Sequence, residues 1–243
     1  MRTQLVDAWR TVAPPRDDPH GPLPPLLVTL TVVTGLVDAF SYLTLGHVFV
    51  ANMTGNVVFL GFALAGARGF SVTASLAALG SFAIGSLLGG RLIVVVPRDR
   101  GRLLATAAAA QVLLVAAALI VRFAAGPDVS RVDHYVLILL LAVTMGLQNA
   151  TVRKLAVPDL TTTVLTLTAT GIFADSHLVG GPGSKAGRRT VSILAMFLGA
   201  LVGAVLVLHA PRALPLVVAL VLLVAVAFAT RLASRRRSTW ATT

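Results

Sequence analysis

Long apolar runs, broken by short polar or basic joints, fill the chain from about residue 25 to about 231. They fall at about 25–45, 48–67, 72–96, 103–125, 134–156, 161–176, 190–210 and 213–231. Several reach the ~20 residues that a helix needs to cross a hydrocarbon core of ~30 Å. Leu103–Val121 and Pro215–Ala229 are the clearest, with no charged residue inside either. Spanning strands would alternate in polarity, whereas these runs are continuous, and a helix satisfies its own backbone in lipid. The pattern predicts an all-α integral membrane protein.

The eight runs read as two sets of four, about 25–125 and 134–231, within one transmembrane domain spanning 25–231. Gly35-Leu36-Val37-Asp38-Ala39 in the first run is echoed by Gly146-Leu147-Gln148-Asn149-Ala150 in the fifth. Asn52–Asn56 in the second run matches Val164–Thr168 in the sixth. Gly85-Ser86-Leu87-Leu88-Gly89 in the third matches Gly199-Ala200-Leu201-Val202-Gly203 in the seventh. The offset between partners is nearly constant, so only small insertions separate the halves. Gly-x-x-x-Gly lets helices approach closely in lipid, and its place in both halves points to a duplication.

Charge decides how many runs cross. With eight crossings and a cytoplasmic N-terminus, the loops place six Lys/Arg inside and seven outside, against the positive-inside rule. If runs two and six dip in and return, nine lie inside: Arg91, Arg98, Arg100, Arg102, Arg153, Lys154, Lys185, Arg188 and Arg189. Only Arg68, Arg122, Arg131 and Arg212 stay outside. Geometry agrees. Val48–Met53 extended at ~3.3 Å per residue descends roughly 16 Å, and Asn56–Ala67 as helix returns about 18 Å. Pro158–Leu165 and Thr166–Asp175 would form the second such arm. The expected fold is therefore six spanning helices plus two re-entrant or broken segments, arranged as two inverted repeats, with a site near the midplane.

Composition agrees with a membrane class: 56% of residues are hydrophobic, 12% charged, and the mean hydropathy is +0.89. Soluble chains carry roughly 25% charged residues. The net charge of +11 sits in loops and tails, such as Arg235-Arg236-Arg237, where it orients the protein and meets anionic lipid. The lipid bilayer is thus the expected partner, and nucleic acid is not. Residues 1–24 hold five prolines (Pro14, Pro15, Pro19, Pro22 and Pro24) and lack a signal peptide's apolar core, so a loose cytoplasmic tail is expected. Residues 232–243 read as a basic cytoplasmic tail. The absence of Cys removes disulfides, zinc–thiolate sites and thiol nucleophiles.

The blocks Gly35–Ala39, Val48–Asn56 and Met145–Arg153 resemble the signature of the YoaK-like family. These are multi-pass inner-membrane proteins of bacteria that carry a domain of unknown function. The resemblance covers roughly residues 26–231. It implies a bacterial plasma-membrane protein with a transport role, and it supplies no substrate. One departure is Thr166-Leu167, where the family pattern has Thr-Gly.

All nine acidic residues are aspartates, and only Asp38 lies deep in a strongly apolar run. A charged Asp near the bilayer centre costs about 2.5–3.5 kcal/mol, so Asp38 should face inward, either for function or to bond a neighbouring segment. Asn52, Thr54 and Asn56, with Gly55 between them, either cap a broken helix or offer donors to a polar ligand. Thr161, Thr162, Thr163, Thr166 and Thr168 would face them, or merely bond back to their own helices. Gln148 and Asn149 stand where Asp38 stands in the first half. Arg153 and Lys154 read as interface anchors, and Asp175 as a partner for Lys185 or Arg188.

Enzyme signals are poor. His20, His47, His134, His177 and His209 lack metal-ligand spacing, no Gly-x-Ser-x-Gly elbow occurs, and Gly180–Gly187 lacks the phosphate-loop order. No cofactor is expected. The expected function is a small-solute transporter or channel binding a polar or ionic solute through Asp38, Asn52, Thr54, Gly55, Asn56, Gln148, Asn149, Thr163 and Thr166. A non-transporting scaffold or assembly subunit is the alternative, and a second copy of the chain is a candidate partner. The charge count predicts that a single cysteine placed at Ser184 reacts with impermeant thiol reagents only from the cytoplasmic side. Labelling from the periplasm would overturn the two-arm topology.

Overall fold

The structure is a computed structural model that describes residues 2–15, 17–96, 99–126, 129–160, 162–163, 165–175, 186–235 and 240. Arg98, Thr161, His177, Lys185, Arg236 and Arg237, and most of the Gly180–Gly187 loop, lie outside these residues.

Among the described residues the chain forms nine helices: α1 (Arg2–Val12), α2 (Leu23–Thr44), α3 (Met53–Leu64), α4 (Val72–Val95), α5 (Arg100–Ala124), α6 (Arg131–Leu155), α7 (Leu165–Ala174), α8 (Ala186–His209) and α9 (Leu214–Arg235). Six of these, α2, α4, α5, α6, α8 and α9, are long and apolar enough to cross a membrane. This is a multi-pass membrane protein. With 12 and 10 residues, α3 and α7 rise only about 18 and 15 Å, short of a ~30 Å core.

Local chemistry fixes the helix ends. Pro24 and Pro25 fall in the first turn of α2, where no backbone N–H is needed. Ser71, Asp99 and Ser130 cap α4, α5 and α6 by accepting from Ala74, Arg102 and Asp133 N–H groups. The Ser130 hydroxyl also donates to Asp133 at 2.6 Å. Leu87, Val94, Leu113, Phe197 and Leu208 are exposed on the outer spans and supply lipid-facing surface. The interior belongs chiefly to α2 and α6, the most buried spans.

Two helix pairs form the frame, α4 with α6 and α2 with α8. Glycine lets each pair close. A Cβ on Gly85 would strike the Val143 carbonyl, and one on Gly89 would meet Ala150 Cβ at 2.7 Å. In the other pair, a Cβ on Gly199 would strike the Val32 carbonyl, and one on Gly203 would meet Ala39 Cβ at 2.9 Å. Val32 and Val143, like Ala39 and Ala150, stand at the offset that matches Gly35 to Gly146, so the same contact is made twice. Partners advance together along both helices, so each pair runs parallel.

Both ends of the bundle are defined by contacts. At one end Trp240 packs on Gly21 and Gly101, Arg100 donates to the Leu155 carbonyl at 2.6 Å, and α1 lies on the start of α8. At the other, Thr73 and Tyr135 hydroxyls meet at 2.6 Å, and the His47 ring bonds the Gly69 carbonyl at 3.0 Å. Thus α2 ends and α4 begins at the second end, while α6 ends and α8 begins at the first.

The N-terminal stretch differs from the loose tail expected. Arg2–Val12 is a helix whose Asp7 carboxylate accepts the Arg188 N–H at 3.0 Å, and whose backbone crowds Gly187. An acid beside the start of α8 is favourable because helix N-termini carry partial positive charge. The prolines that suggested disorder fall after this helix. Glycine spacing then gives a paired expectation. Gly85→Val and Gly199→Val should each cost about 1–3 kcal/mol through overpacking, read as a lower melting temperature in detergent. Gly80→Val and Gly90→Val, where an added Cβ meets nothing within 4 Å, should sit close to wild type. Equal losses at all four positions would contradict the packing account.

Candidate functional site

Asp38 is buried on α2, in the last two turns before the helix ends at Thr44. Beyond α2, Gly46 and His47 adopt φ of 76° and 56°, turning the chain back along the helix. Only in this left-handed region does the turn close, and glycine enters it without strain. The returning segment brings the Val50 and Ala51 N–H groups to one Asp38 oxygen, Oδ1, at 3.0 and 2.8 Å. The second oxygen, Oδ2, is buried and, among the described residues, has no hydrogen-bond partner. This carboxylate therefore holds a non-helical backbone in place with one oxygen and keeps the other uncommitted.

Asn56 does a related job. Its Nδ2 donates to the Phe49 carbonyl at 2.6 Å, and its Oδ1 accepts from Phe49 N–H at 2.9 Å. The side-chain amide stands in for a neighbouring strand. Gly55 makes room for the Phe49 ring, which a Cβ would meet at 2.7 Å. Asn52 occupies the N-cap position of α3, yet its side chain makes no capping bond, and Thr54 is exposed. The expected cap is absent because Asn56, one helical turn on, ties down the entering segment instead. Tyr42 stacks on Phe49 at 4.9 Å, and Phe59 bridges Phe49 and Phe70 at 5.6 and 5.2 Å. These rings close the space between the ends of α2, α3 and α4.

The second half carries a related set of contacts at the matching positions. Asp159, the counterpart of His47, has a φ of 62° and turns the chain back along α6. Thr163, the counterpart of Ala51, donates its hydroxyl to Asn149 Oδ1 at 2.6 Å. Asn149 Nδ2 donates to the Met145 carbonyl at 2.9 Å. Thr168, matching Asn56, is buried and Thr166 is exposed. Gln148 reaches across to α2, donating to Thr34 Oγ1 at 2.8 Å and leaning on the Leu30 carbonyl at 3.4 Å.

Asp38 thus bonds the segment just ahead of Asn52–Asn56, and among the described residues no hydrogen bond joins it to Gln148 or Asn149. The reason is local. Asp38 and Asn149 each serve their own returning segment, while Gln148 points one turn further down α2. Asp175 pairs with Arg189 at 2.7 Å rather than with Arg188, and Arg189 also holds Asp159 at 2.8 Å. That bridge ties the turn before α7 and the end of α7 to α8.

A cavity of about 670 Å³ opens beside α6, lined on its polar side by Ser86, Asn149, Thr163 and Arg153. Asp38 does not line it. Sequence reasoning missed this cavity, the aromatic cluster and the Arg189 bridge. An opposite charge pair in one half, Asp159 and Arg189, was the signal available for the last. Among the described residues no three His, Asp or Glu side chains converge as metal ligands.

Comparison with known proteins bears on the same stretch. The family model described as "Protein of unknown function (DUF1275)" matches residues 26–229, taking in both returning segments and all six spans. The chain belongs to this family. A relative in Bacillus subtilis (strain 168), the "UPF0700 transmembrane protein YoaK", is 35% identical over 150 residues. That alignment covers 62% of this chain and 65% of the relative, so the chain spans just under two thirds of its length. No solved structure matches the chain. For this DUF1275 member, the Asn56 clamp gives a sharp expectation. Asn56→Ala strands the Phe49 N–H and carbonyl and should cost about 1–3 kcal/mol for each buried group left unpaired. Thr54→Ala, at an exposed hydroxyl, should leave thermal stability in detergent unchanged. Equal behaviour of the two variants would remove the clamp.

Proposed function

We propose that the protein is a small-solute transporter or channel of the bacterial plasma membrane, with α3 and α7 as re-entrant arms of two inverted repeats. The observation that carries this reading is Asp38: a buried carboxylate on a spanning helix, bound through one oxygen to a broken backbone, with its other oxygen uncommitted. Ionisable groups at such depth are expensive, and they characteristically mark ion and substrate paths.

Topology supports the inversion. With α3 too short to cross and its flanking helices meeting at one end, α2 and α4 run oppositely; α6 and α8 stand in the same relation at the other end. Three crossings per half then turn the second repeat over. The end that carries α1 and Trp240 also carries Arg100, Arg102, Arg153, Lys154, Arg188 and Arg189, and the opposite end Arg68, Arg122, Arg131 and Arg212. By the positive-inside rule both termini are cytoplasmic.

The scaffold reading draws on one observation: Asp38 is sealed among packed side chains and does not line the open cavity. A metabolite-uptake screen in proteoliposomes separates the two. Wild type should accumulate at least one small polar solute, and Asp38→Asn, which keeps shape but removes charge, should lower that uptake by about tenfold or more. Full uptake by Asp38→Asn across pH would end the role of Asp38. Purified, correctly inserted wild type that moves nothing in the screen would favour the scaffold.

A further inference from the structure

Among the described residues an open cavity lies beside α6. In the first half the returning segment is packed: Val48, Val50 and Ala51 are buried, and Tyr42 stacks on Phe49. Residue 153 is the counterpart of residue 42 at the offset that matches Gly35 to Gly146, and it is arginine. The cavity of about 670 Å³ lies between α4, α6 and the stretch that carries Ala156, Val157, Leu160 and Thr163. That size lies within the range of small-molecule sites, ~300–1,000 Å³.

Its lining is selective. Phe82, Ile93, Val152, Val157 and Leu160 make an apolar wall. The polar groups are Ser86, Asn149 and Thr163, with Arg153 one helical turn beyond Asn149 and exposed. Among the described residues Arg153 has no ion pair or hydrogen bond, and no acid lines the cavity. Asp159, the nearest acid in sequence, is held by Arg189. Asn149 Nδ2 commits one N–H to Met145 and has a second to offer. A neutral or cationic solute gains nothing from the guanidinium, whereas a carboxylate gains a forked, charge-assisted contact.

We propose that this cavity binds a small organic anion, a carboxylate or phosphate on an apolar body, with Arg153 holding the anionic group and Asn149 assisting. This deepens the transport reading and rests on it, naming the solute class and the mouth through which it enters. A free solute and an anionic lipid headgroup share this chemistry, and the test separates them.

Purified full-length protein in an uncharged detergent is titrated with benzoate, benzylamine and benzyl alcohol, which share one apolar body and differ in charge. Inorganic phosphate and phosphatidylglycerol form two further arms, each followed by melting temperature and by equilibrium binding. Benzoate should bind and stabilise, benzylamine and benzyl alcohol should not. Arg153→Gln should weaken benzoate by about tenfold, as expected for loss of one charge-assisted contact, with Arg153→Lys recovering part of it. Binding of phosphatidylglycerol lost in Arg153→Gln, with benzoate and phosphate inert, would support the anion site and assign it to lipid. Equal binding of benzylamine, unchanged benzoate binding in Arg153→Gln, or inert anions in every arm would overturn the proposal. Because binding is read without flux, failed uptake with Arg153-dependent benzoate binding would sink transport alone.

Discussion

Every backbone N–H and C=O that leaves a helix inside apolar surroundings must find a partner, because one left unpaired costs about 1–3 kcal/mol. The returning segment of the first half meets that demand with two side chains. Asp38 accepts Val50 and Ala51, and Asn56 pairs both backbone groups of Phe49. The polar residues in an apolar stretch thus follow from the broken helix, and the broken helix from them. Remove the carboxylate and two amides face hydrocarbon side chains with nothing to accept them.

The frame that holds this arrangement is built on backbone contact. Lipid gives helices little hydrophobic reason to associate, so close packing has to supply the attraction. Gly85, Gly146, Gly35 and Gly199 put carbonyls of one helix where a side chain of the other would stand. The pairs α2–α8 and α4–α6 each join a helix of one half to a helix of the other. The halves are therefore interlocked through these two pairs.

Most of the frame was legible in the sequence. Apolar length gave eight runs, loop charge reduced the spanning ones to six, and the spaced glycines marked the helices that meet. Asp38 was legible because burying a charge is expensive, and Asn56 because it interrupts an apolar run. Partners were not legible. Whether Asn56 caps its own helix or clamps Phe49 depends on a turn whose left-handed residue is His47, a residue type that does not announce it. Arg189 could not be matched to Asp159 and Asp175 from loop charge alone, since basic neighbours compete for the same acids. Helix α1 was hidden behind the prolines that follow it, although Leu5, Trp9 and Val12 recur on one face opposite Asp7 and Thr11.

The two halves differ in what holds the stretch beside the short helix. Around α3 it is held by stacked rings, each pair contributing about 0.5–1.5 kcal/mol beyond its buried area. Around α7 Arg189 ties two aspartates instead, Asp159 largely buried and Asp175 partly exposed, and the exposed pair contributes about 0–1 kcal/mol. Neither set of contacts is strong against a solute that binds with micromolar affinity, which releases roughly 8 kcal/mol. Under the transport reading, rearranging these stretches therefore demands no large input beyond the solute's own preference for one state. The chemistry of the two sets of contacts also differs in what modulates it. Salt screens ion pairs and leaves stacked rings untouched, so the half that holds Arg189 is the more sensitive to ionic strength.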